Sequence, residues 1–215
     1  MYLLSKFGNS KNRIKNAISD LKNKKGIIII DDQDRENESD LVFSAKTMTV
    51  KQMAFMIRNC SGIVCLCITD QKRKKLELPM MVKNNTNAYK TGFTISIESA
   101  KGITTGVSAK DRLKTIQTAI AKNAKPHHLN KPGHIFPLRA HVKGIKYRAG
   151  HTESSLEIVN LAGFGKYSVI CELTKKNGSM FRIKDSIKFA ELYQITIISI
   201  QDIIKYLSNE KNFNS

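Results

Sequence analysis

The run Ile27-Ile28-Ile29-Ile30 leads directly into the polar segment Asp31-Asp32-Gln33-Asp34-Arg35-Glu36-Asn37-Glu38-Ser39-Asp40. Four consecutive β-branched residues favour a strand. Because none of the four is polar, the strand should be buried on both faces, which is typical of a sheet covered by helices on each side. The abrupt change to polar residues marks the end of that strand.

The polar segment is rich in acids, with six carboxylates between residues 31 and 40. The chain as a whole is basic, with a formal net charge of +18 at pH 7, so the acids are concentrated here. Clustered carboxylates repel one another unless a cation offsets their charge. Mg²⁺ and Mn²⁺ prefer oxygen ligands and are the natural candidates. The segment therefore indicates a divalent-metal site, with a solvated acidic loop as the alternative.

Outward from this strand, helical and strand patterns alternate along the chain. Apolar spacing predicts helices at about 14–21, 50–59, 112–121, 152–161 and 187–193, and a terminal helix. Strands are predicted at about 41–45, 63–69, 93–98, 134–140, 168–174 and 195–200, and the stretch 70–90 is predicted to be irregular. This alternation predicts an α/β fold: a single layered domain over residues 1–215, with a mixed sheet covered by helices.

The basic charge does not identify a partner by itself. A net charge of +18 and a pI of about 9.8 suit nucleic acid, an anionic membrane or phosphorylated metabolites. RRM, KH and zinc-finger patterns are missing, no apolar run approaches the roughly 20 residues that cross a bilayer, and the N-terminus does not resemble a signal peptide. We therefore expect a cytoplasmic protein with neither nucleic-acid nor membrane partners. Reduced thiols are predicted for Cys60, Cys65, Cys67 and Cys171, which show no disulfide pattern.

A second group of interest is Arg148-Ala149-Gly150-His151-Thr152-Glu153. It combines a guanidinium, a small-residue turn and a predicted helix start capped by Thr152, which together suit a phosphate group. His151 could also bind a metal ion. An ordinary helix cap with a nearby arginine is the alternative. Residues 104–112, with a glycine, hydroxyls and a helix start at Ser108, allow the same two interpretations.

Two single residues also suggest chemistry. Glu172 is a lone acid in the apolar strand Val169-Ile170-Cys171-Glu172-Leu173, where a charge is costly without a partner or a function. General acid–base catalysis is one interpretation of such a residue. His134 begins a predicted strand, where a structural role is the more common one. Together these residues predict a divalent-metal enzyme acting on a small phosphorylated substrate, without naming the reaction.

Five segments, in order along nearly the whole chain, resemble the 3,4-dihydroxy-2-butanone 4-phosphate synthases of riboflavin biosynthesis. They are DRENESD (34–40), TTGVSAKDR (104–112), GHIFPLRA (133–140), GHTE (150–153) and ICEL (170–173). The resemblance implies a lyase that converts D-ribulose 5-phosphate to L-3,4-dihydroxy-2-butanone 4-phosphate plus formate through a metal-stabilised enediolate. It also implies Mg²⁺ or Mn²⁺ as cofactor, with two ions per active site, and a homodimer with shared active sites.

The motif match assigns roles to individual residues. It assigns the metal to Glu36 and His151, and catalysis to His134, Glu172, Asp40 and Glu38. Substrate binding is assigned to a larger set, which is Arg35, Glu36, Asp40, Arg148, Ala149, Gly150, His151, Thr152, Glu172, Ser108 and Arg112. Of these, Arg148 and Thr152 are expected to contact the phosphate.

Some points depart from the family or remain open. Ser39 stands where the family usually has glycine, which leaves the backbone conformation there undecided. Some relatives carry a C-terminal GTP cyclohydrolase II domain, whereas the length of this chain predicts a single activity. The alternatives to the synthase are a basic nucleic-acid-binding protein, a degenerate fold kept as an interaction module, and a related sugar-phosphate aldolase or isomerase.

Overall fold

The structure is a computed structural model that describes residues 2–213. The α-helices are α1 (Ser10–Lys22), α2 (Val50–Asn59), α3 (Asp70–Lys75), α4 (Ala109–Ile120), α5 (His151–Leu161), α6 (Ile183–Tyr193) and α7 (Ile200–Phe213). The strands are β1 (Ile27–Ile30), β2 (Ser39–Ser44), β3 (Cys65–Ile68), β4 (Ile97–Ser99), β5 (Leu129–Arg139), β6 (Ser168–Glu172) and β7 (Thr196–Ser199). Short 3-10 helices lie at Tyr2–Phe7 and Pro126–His128. Among these residues, no helix has both the length and the apolar character that crossing a bilayer requires.

The strands form one sheet in the order β4-β5-β3-β6-β2-β1-β7. Neighbours β1 and β7 run parallel, as do β3 and β5. The other neighbouring pairs are antiparallel. The sheet is therefore mixed, as the sequence predicted.

Helices cover both faces of this sheet. Ile28 and Ile30 belong to one buried core, which α2, α4 and α6 complete. Ile27 and Ile29 belong to the other, which α1, α5 and α7 complete. None of the four isoleucines is more than 6% exposed. The prediction of a strand buried on both faces is confirmed, and so is the α/β fold with a covered sheet.

Three predictions of local structure were wrong. The stretch 70–90 is not wholly irregular, because the Thr69 hydroxyl caps the short helix α3 by accepting from the Lys72 amide. The strand expected at 93–98 is limited to β4, and Phe93 forms only an isolated bridge to Leu138. Helix α5 is capped by Gly150, so Thr152 lies inside its first turn.

Strand pairing places the acidic segment at one end of the neighbouring strands β1, β2 and β6. Ile30 at the end of β1 pairs with Ser39 at the start of β2, and the adjacent Asp40 pairs with Glu172 at the end of β6. Ser39 has no positive φ, whereas Asn37 in the preceding loop has a φ of 51°. Serine in place of the family glycine therefore needs no left-handed backbone at this position.

Candidate active site

The acidic segment between β1 and β2 is a fixed loop. At its base the Asp31 amide donates to the Glu38 carbonyl, at 3.1 Å. The Tyr89 hydroxyl donates to the Arg35 carbonyl at 2.7 Å. Arg182 donates to the Asn37 carbonyl at 2.6 Å. Contacts from other parts of the chain therefore hold the loop at Arg35 and Asn37, whereas Gln33 and Asp34 at its tip are exposed.

Arg35 offsets part of the negative charge within the loop. Its guanidinium lies 2.5 Å from Oδ2 of Asp31 and 2.7 Å from Oε2 of Glu36. It also lies over the Tyr89 ring, 4.9 Å from the ring centroid. Burial alone would raise the pKa of Glu36, but hydrogen bonding to His151 and the charge of Arg35 lower it to about 2. Glu36 is therefore ionised at any physiological pH.

His151 is the first residue of α5 and reaches the acidic loop from the other side. Its Nδ1 lies 3.5 Å from Oε2 of Glu36 and 3.8 Å from Oδ1 of Asp40. Burial disfavours the imidazolium, but the charge of Asp40 and the interactions with Glu36 outweigh burial and raise the pKa of His151 to about 9. Folding thus brings together the two residues on which the metal assignment depends.

The donor groups here fit a divalent cation. Asp31, Glu36 and His151 each offer a ligand atom, and these atoms lie within 4.8 Å of one another. Nε2 of His151 and Oδ1 of Asp40 are buried and have no hydrogen-bond partner in the described part of the chain. Buried polar atoms are normally satisfied, so two unsatisfied ones beside this group point to a ligand. Carboxylate oxygens with one imidazole nitrogen suit Mg²⁺ or Mn²⁺.

A cleft of about 430 Å³, counting its open mouth, adjoins this group. It is lined by Arg35, Glu36, Asp40, Thr91, Phe93, Leu138, Arg148, His151, Thr152, Ile170 and Glu172. Glu172 is half-buried and accepts a hydrogen bond from the Ser61 hydroxyl at 2.6 Å. The cleft thus combines acids, a buried imidazole and two arginines, which are groups that can bind a metal ion and an anionic ligand.

Known proteins match this chain in sequence and in fold. Residues 15–206 match the family described as 3,4-dihydroxy-2-butanone 4-phosphate synthase. The chain belongs to this family. The synthase of Buchnera aphidicola subsp. Schizaphis graminum is 62% identical over 209 residues, covering 97% of this chain and 98% of the relative. The synthase of Klebsiella pneumoniae subsp. pneumoniae is 53% identical over 204 residues, covering 95% and 94%.

Solved structures give the same result for the fold. A crystal structure of a 3,4-dihydroxy-2-butanone 4-phosphate synthase in complex with two magnesium ions superposes with a TM-score of 0.88 at 34% identity. The match covers 92% of this chain and 97% of that one. The resemblance drawn from the five sequence motifs is thereby confirmed.

Three residues to which the synthase motifs assign a role do not line the cleft. Each of them contacts other residues in the described part of the chain. His134 on β5 contacts Oε1 of Glu98 through Nδ1, and its side chain is 46% exposed. Ser108 caps α4 by accepting from the Asp111 amide. The Arg112 guanidinium donates to two backbone carbonyls, those of Val107 and Gly62.

Three other assigned residues lie beside the cleft without lining it. Glu38 follows Glu36 in the loop, and burial, with the charges of Glu36 and Glu172, raises its pKa. Ala149 packs against the core below α5. Gly150 caps that helix.

Sequence reasoning missed several residues at the site. Asp31 was part of the acidic segment but had no assigned role, although its place directly after a buried strand was a usable signal. Tyr89 lies in the stretch predicted to be irregular, Thr91 lies just after it, and Phe93 begins a predicted strand, but none of the three was assigned to the site. Only folding brings this part of the chain over Arg35 and Arg148.

Proposed function

We propose that this chain converts D-ribulose 5-phosphate to L-3,4-dihydroxy-2-butanone 4-phosphate plus formate, as a lyase of riboflavin biosynthesis. The observation that carries the proposal is the contact of Glu36 with the buried His151, 3.5 Å apart, in a cleft that Arg148 also lines. Nε2 of His151 has no hydrogen-bond partner among the described residues. An anionic substrate with several hydroxyls matches such a cleft. Membership of the synthase family supports this specific reaction.

Substrate binding is proposed to divide between the two ends of the cleft. Arg148 and Thr152 hold the phosphate, because a guanidinium beside the first turn of a helix favours a doubly charged anion. Arg35, Glu36 and Asp40 contact the sugar. Ala149, Gly150 and His151 provide the wall between these ends. Ser108 and Arg112 are proposed to support the phosphate end.

The cofactor is proposed to be Mg²⁺ or Mn²⁺, with two ions per active site held by Glu36 and His151. Ions held by these two residues would polarise the substrate oxygens and offset the negative charge that develops on them. One solved relative is described as a complex with two magnesium ions, which supports this choice. Asp31 is proposed to keep Arg35 and Glu36 in place around the ions, because its carboxylate accepts from both.

Proton transfers are proposed to involve Asp40, Glu172, Glu38 and His134. Burial raises the pKa of Asp40 to about 8, so its carboxyl can both give and take a proton near neutral pH. Glu172 lies opposite Asp40 in the strand pairing. The two acids can therefore act on neighbouring substrate atoms.

His134 is proposed to act on the site of a second subunit. Its side chain is half-exposed and contacts Glu98, apart from the cleft of its own chain. A homodimer with active sites completed across the interface accounts for a catalytic residue in this position. Each subunit is proposed to be a single domain over residues 1–215. The dimer is proposed to act in the cytoplasm, where the four free cysteines stay reduced, with neither nucleic acid nor membrane as a partner.

A formate assay tests the reaction. Purified protein is incubated with ribulose 5-phosphate and Mg²⁺, and formate is measured together with the four-carbon phosphate. We expect the two products in equal amounts, and none after chelation of the metal. Substrate consumption without formate, in protein that still binds Mg²⁺, would favour an aldolase or isomerase. Neither consumption nor metal binding would favour an interaction module.

A further inference from the structure

The guanidinium of Arg148 is held by three protein groups at once. Its Nε donates to the Tyr89 carbonyl at 3.1 Å, and one terminal nitrogen donates to the Thr91 hydroxyl at 3.0 Å. The other terminal nitrogen donates to Oε2 of Glu153 at 2.6 Å. A guanidinium has five N–H groups, so these contacts leave two for a ligand. The protein therefore decides which part of this side chain faces the cleft.

Glu153 is the charged member of this set and the most deeply buried. It lies in the first turn of α5 and is 2% exposed. Its second carboxylate oxygen accepts from the backbone amide of His141 at 2.8 Å. One buried carboxylate thus ties Arg148 to the chain segment that precedes it. A buried carboxylate is costly unless it is paired and hydrogen-bonded, and here both oxygens have a partner.

Gly150 is independent evidence for the pair of Arg148 and Glu153, because a side chain at this position would collide with it. Its φ is −111°, a conformation that any residue can adopt, so backbone freedom does not explain a glycine here. A Cβ atom at this position would lie 2.4 Å from a terminal nitrogen of Arg148 and 3.1 Å from Oε2 of Glu153. The missing side chain is what allows the Arg148 side chain to reach Glu153.

We propose that Glu153 is a positioning residue for the phosphate group of the substrate, because it fixes the orientation of Arg148 and so the direction of the two free N–H groups. The inference rests on the proposed function, in which Arg148 binds that phosphate. Glu153 lies outside the lining of the substrate cleft, and instead lines a second cavity with His141, Glu157 and Lys166. It therefore acts only through Arg148.

The test compares Glu153→Gln with Glu157→Gln, a matched control. Glu157 lies one turn further along α5 and pairs with Lys166, away from Arg148. Glutamine keeps the size of Glu153 but loses the charge that orients the guanidinium. We expect Glu153→Gln to raise KM about tenfold with kcat within about twofold of wild type, as for an interaction made equally in the ground and transition states. The control should change neither constant.

Binding of inorganic phosphate, followed by calorimetry, gives a readout that does not depend on turnover. We expect Glu153→Gln to weaken this binding about tenfold, and to weaken it no further when Arg148→Ala is already present. Gly150→Ala keeps every charge and should weaken phosphate binding in the same way, which provides a second variant if Glu153→Gln does not fold. Unchanged phosphate binding and KM in a folded variant would overturn the inference.

The outcomes for the two proposals can be told apart. Formate production by the wild type together with unchanged phosphate binding in Glu153→Gln rejects the positioning role alone. Weakened phosphate binding in the variant, with no formate from the wild type, rejects the reaction alone. An equal further loss from Glu153→Gln in the Arg148→Ala background would show that Glu153 acts independently of Arg148, which also rejects the positioning role.

Discussion

Asp40 lies opposite Glu172 in the antiparallel pair of β2 and β6, and both residues line the same cleft. Opposed residues of paired strands point to the same face of the sheet, so backbone pairing holds these two acids together. Burial, with the charges of Glu172 and Glu36, raises the pKa of Asp40 to about 8, although His151 opposes the rise. The carboxyl of Asp40 therefore gives up its proton less readily than an exposed aspartic acid does in the metal-free protein.

Replacing either acid by its amide should remove a transferable proton with little change in shape. We expect Asp40→Asn and Glu172→Gln each to lower turnover by at least about a hundredfold, the scale of a lost acid–base group. Formate release measures the rate, and thermal unfolding should show midpoints near that of the wild type. Glu157→Gln is the control. Near-wild-type rates for either amide would remove that residue from the proposed proton transfers.

Glu36→Gln and His151→Ala should act through the metal. Each substitution removes a ligand from the group formed by Asp31, Glu36 and His151. We expect both variants to lose Mg²⁺ binding in calorimetry and to lower turnover by at least about a hundredfold. Asp185→Asn, which alters a carboxylate paired with Lys175 outside the cleft, should bind Mg²⁺ normally. Full Mg²⁺ affinity in the His151 variant would contradict the ligand assignment.

Metal affinity should increase with pH. The pKa of His151 is raised to about 9, so the imidazole is protonated at pH 7 and must lose its proton before it can bind a metal ion. Glu36, with a pKa of about 2, is already ionised and contributes no change in this range. We expect the Kd for Mg²⁺ to fall between about pH 7 and pH 9, by up to about tenfold per pH unit, and then to level off. Calorimetry in two buffers of different ionisation enthalpy should detect the released proton; affinity that does not vary with pH would contradict this account.

Mixed dimers should test whether His134 serves the other subunit. Glu36→Gln and His134→Ala are each expected to be inactive alone. If Glu36 and His134 of one site come from different chains, a mixed dimer has one intact site, and random mixing should restore roughly a quarter of the wild-type activity. Unfolding and refolding the two variants together provides the mixture, with each variant refolded alone as the control. No recovery, in a mixture shown to contain mixed dimers, would place both residues in the same chain's site.

Ser39 should depend on Ser186 for its hydrogen bond. The two hydroxyl oxygens lie 2.6 Å apart and are buried, and Ser186 also contacts the Arg182 carbonyl at 3.2 Å. Ser186→Ala would leave the Ser39 hydroxyl without this partner, which should lower the free energy of unfolding by about 1–3 kcal/mol. Adding Ser39→Gly should cost less than the sum of the single changes, because both partners are then removed. Urea unfolding measures each value, and additive losses would mean that the two hydroxyls do not interact.

Local pattern was sufficient for much of the fold. The β-branched run at residues 27–30 predicted a strand buried on both faces, because a strand with no polar residue has no face to leave in water. Residues 50–59 were predicted as a helix with the bounds that the structure has. The limits of β4 were predicted less well, because they depend on pairing with a strand distant in sequence. The start of α5 was also predicted less well, because it depends on which single residue caps the helix.

The sequence by itself determined the chemical types at the site: a concentration of carboxylates after one strand, an arginine and a histidine at the start of a helix, and a lone glutamate in an apolar strand. Tertiary structure alone decided that Glu36 meets His151 and that Asp40 faces Glu172. It also decided that His134 stands apart from them. The physical reason is range: periodicity reports neighbours a few residues apart, whereas strand order and helix packing join residues more than a hundred positions apart.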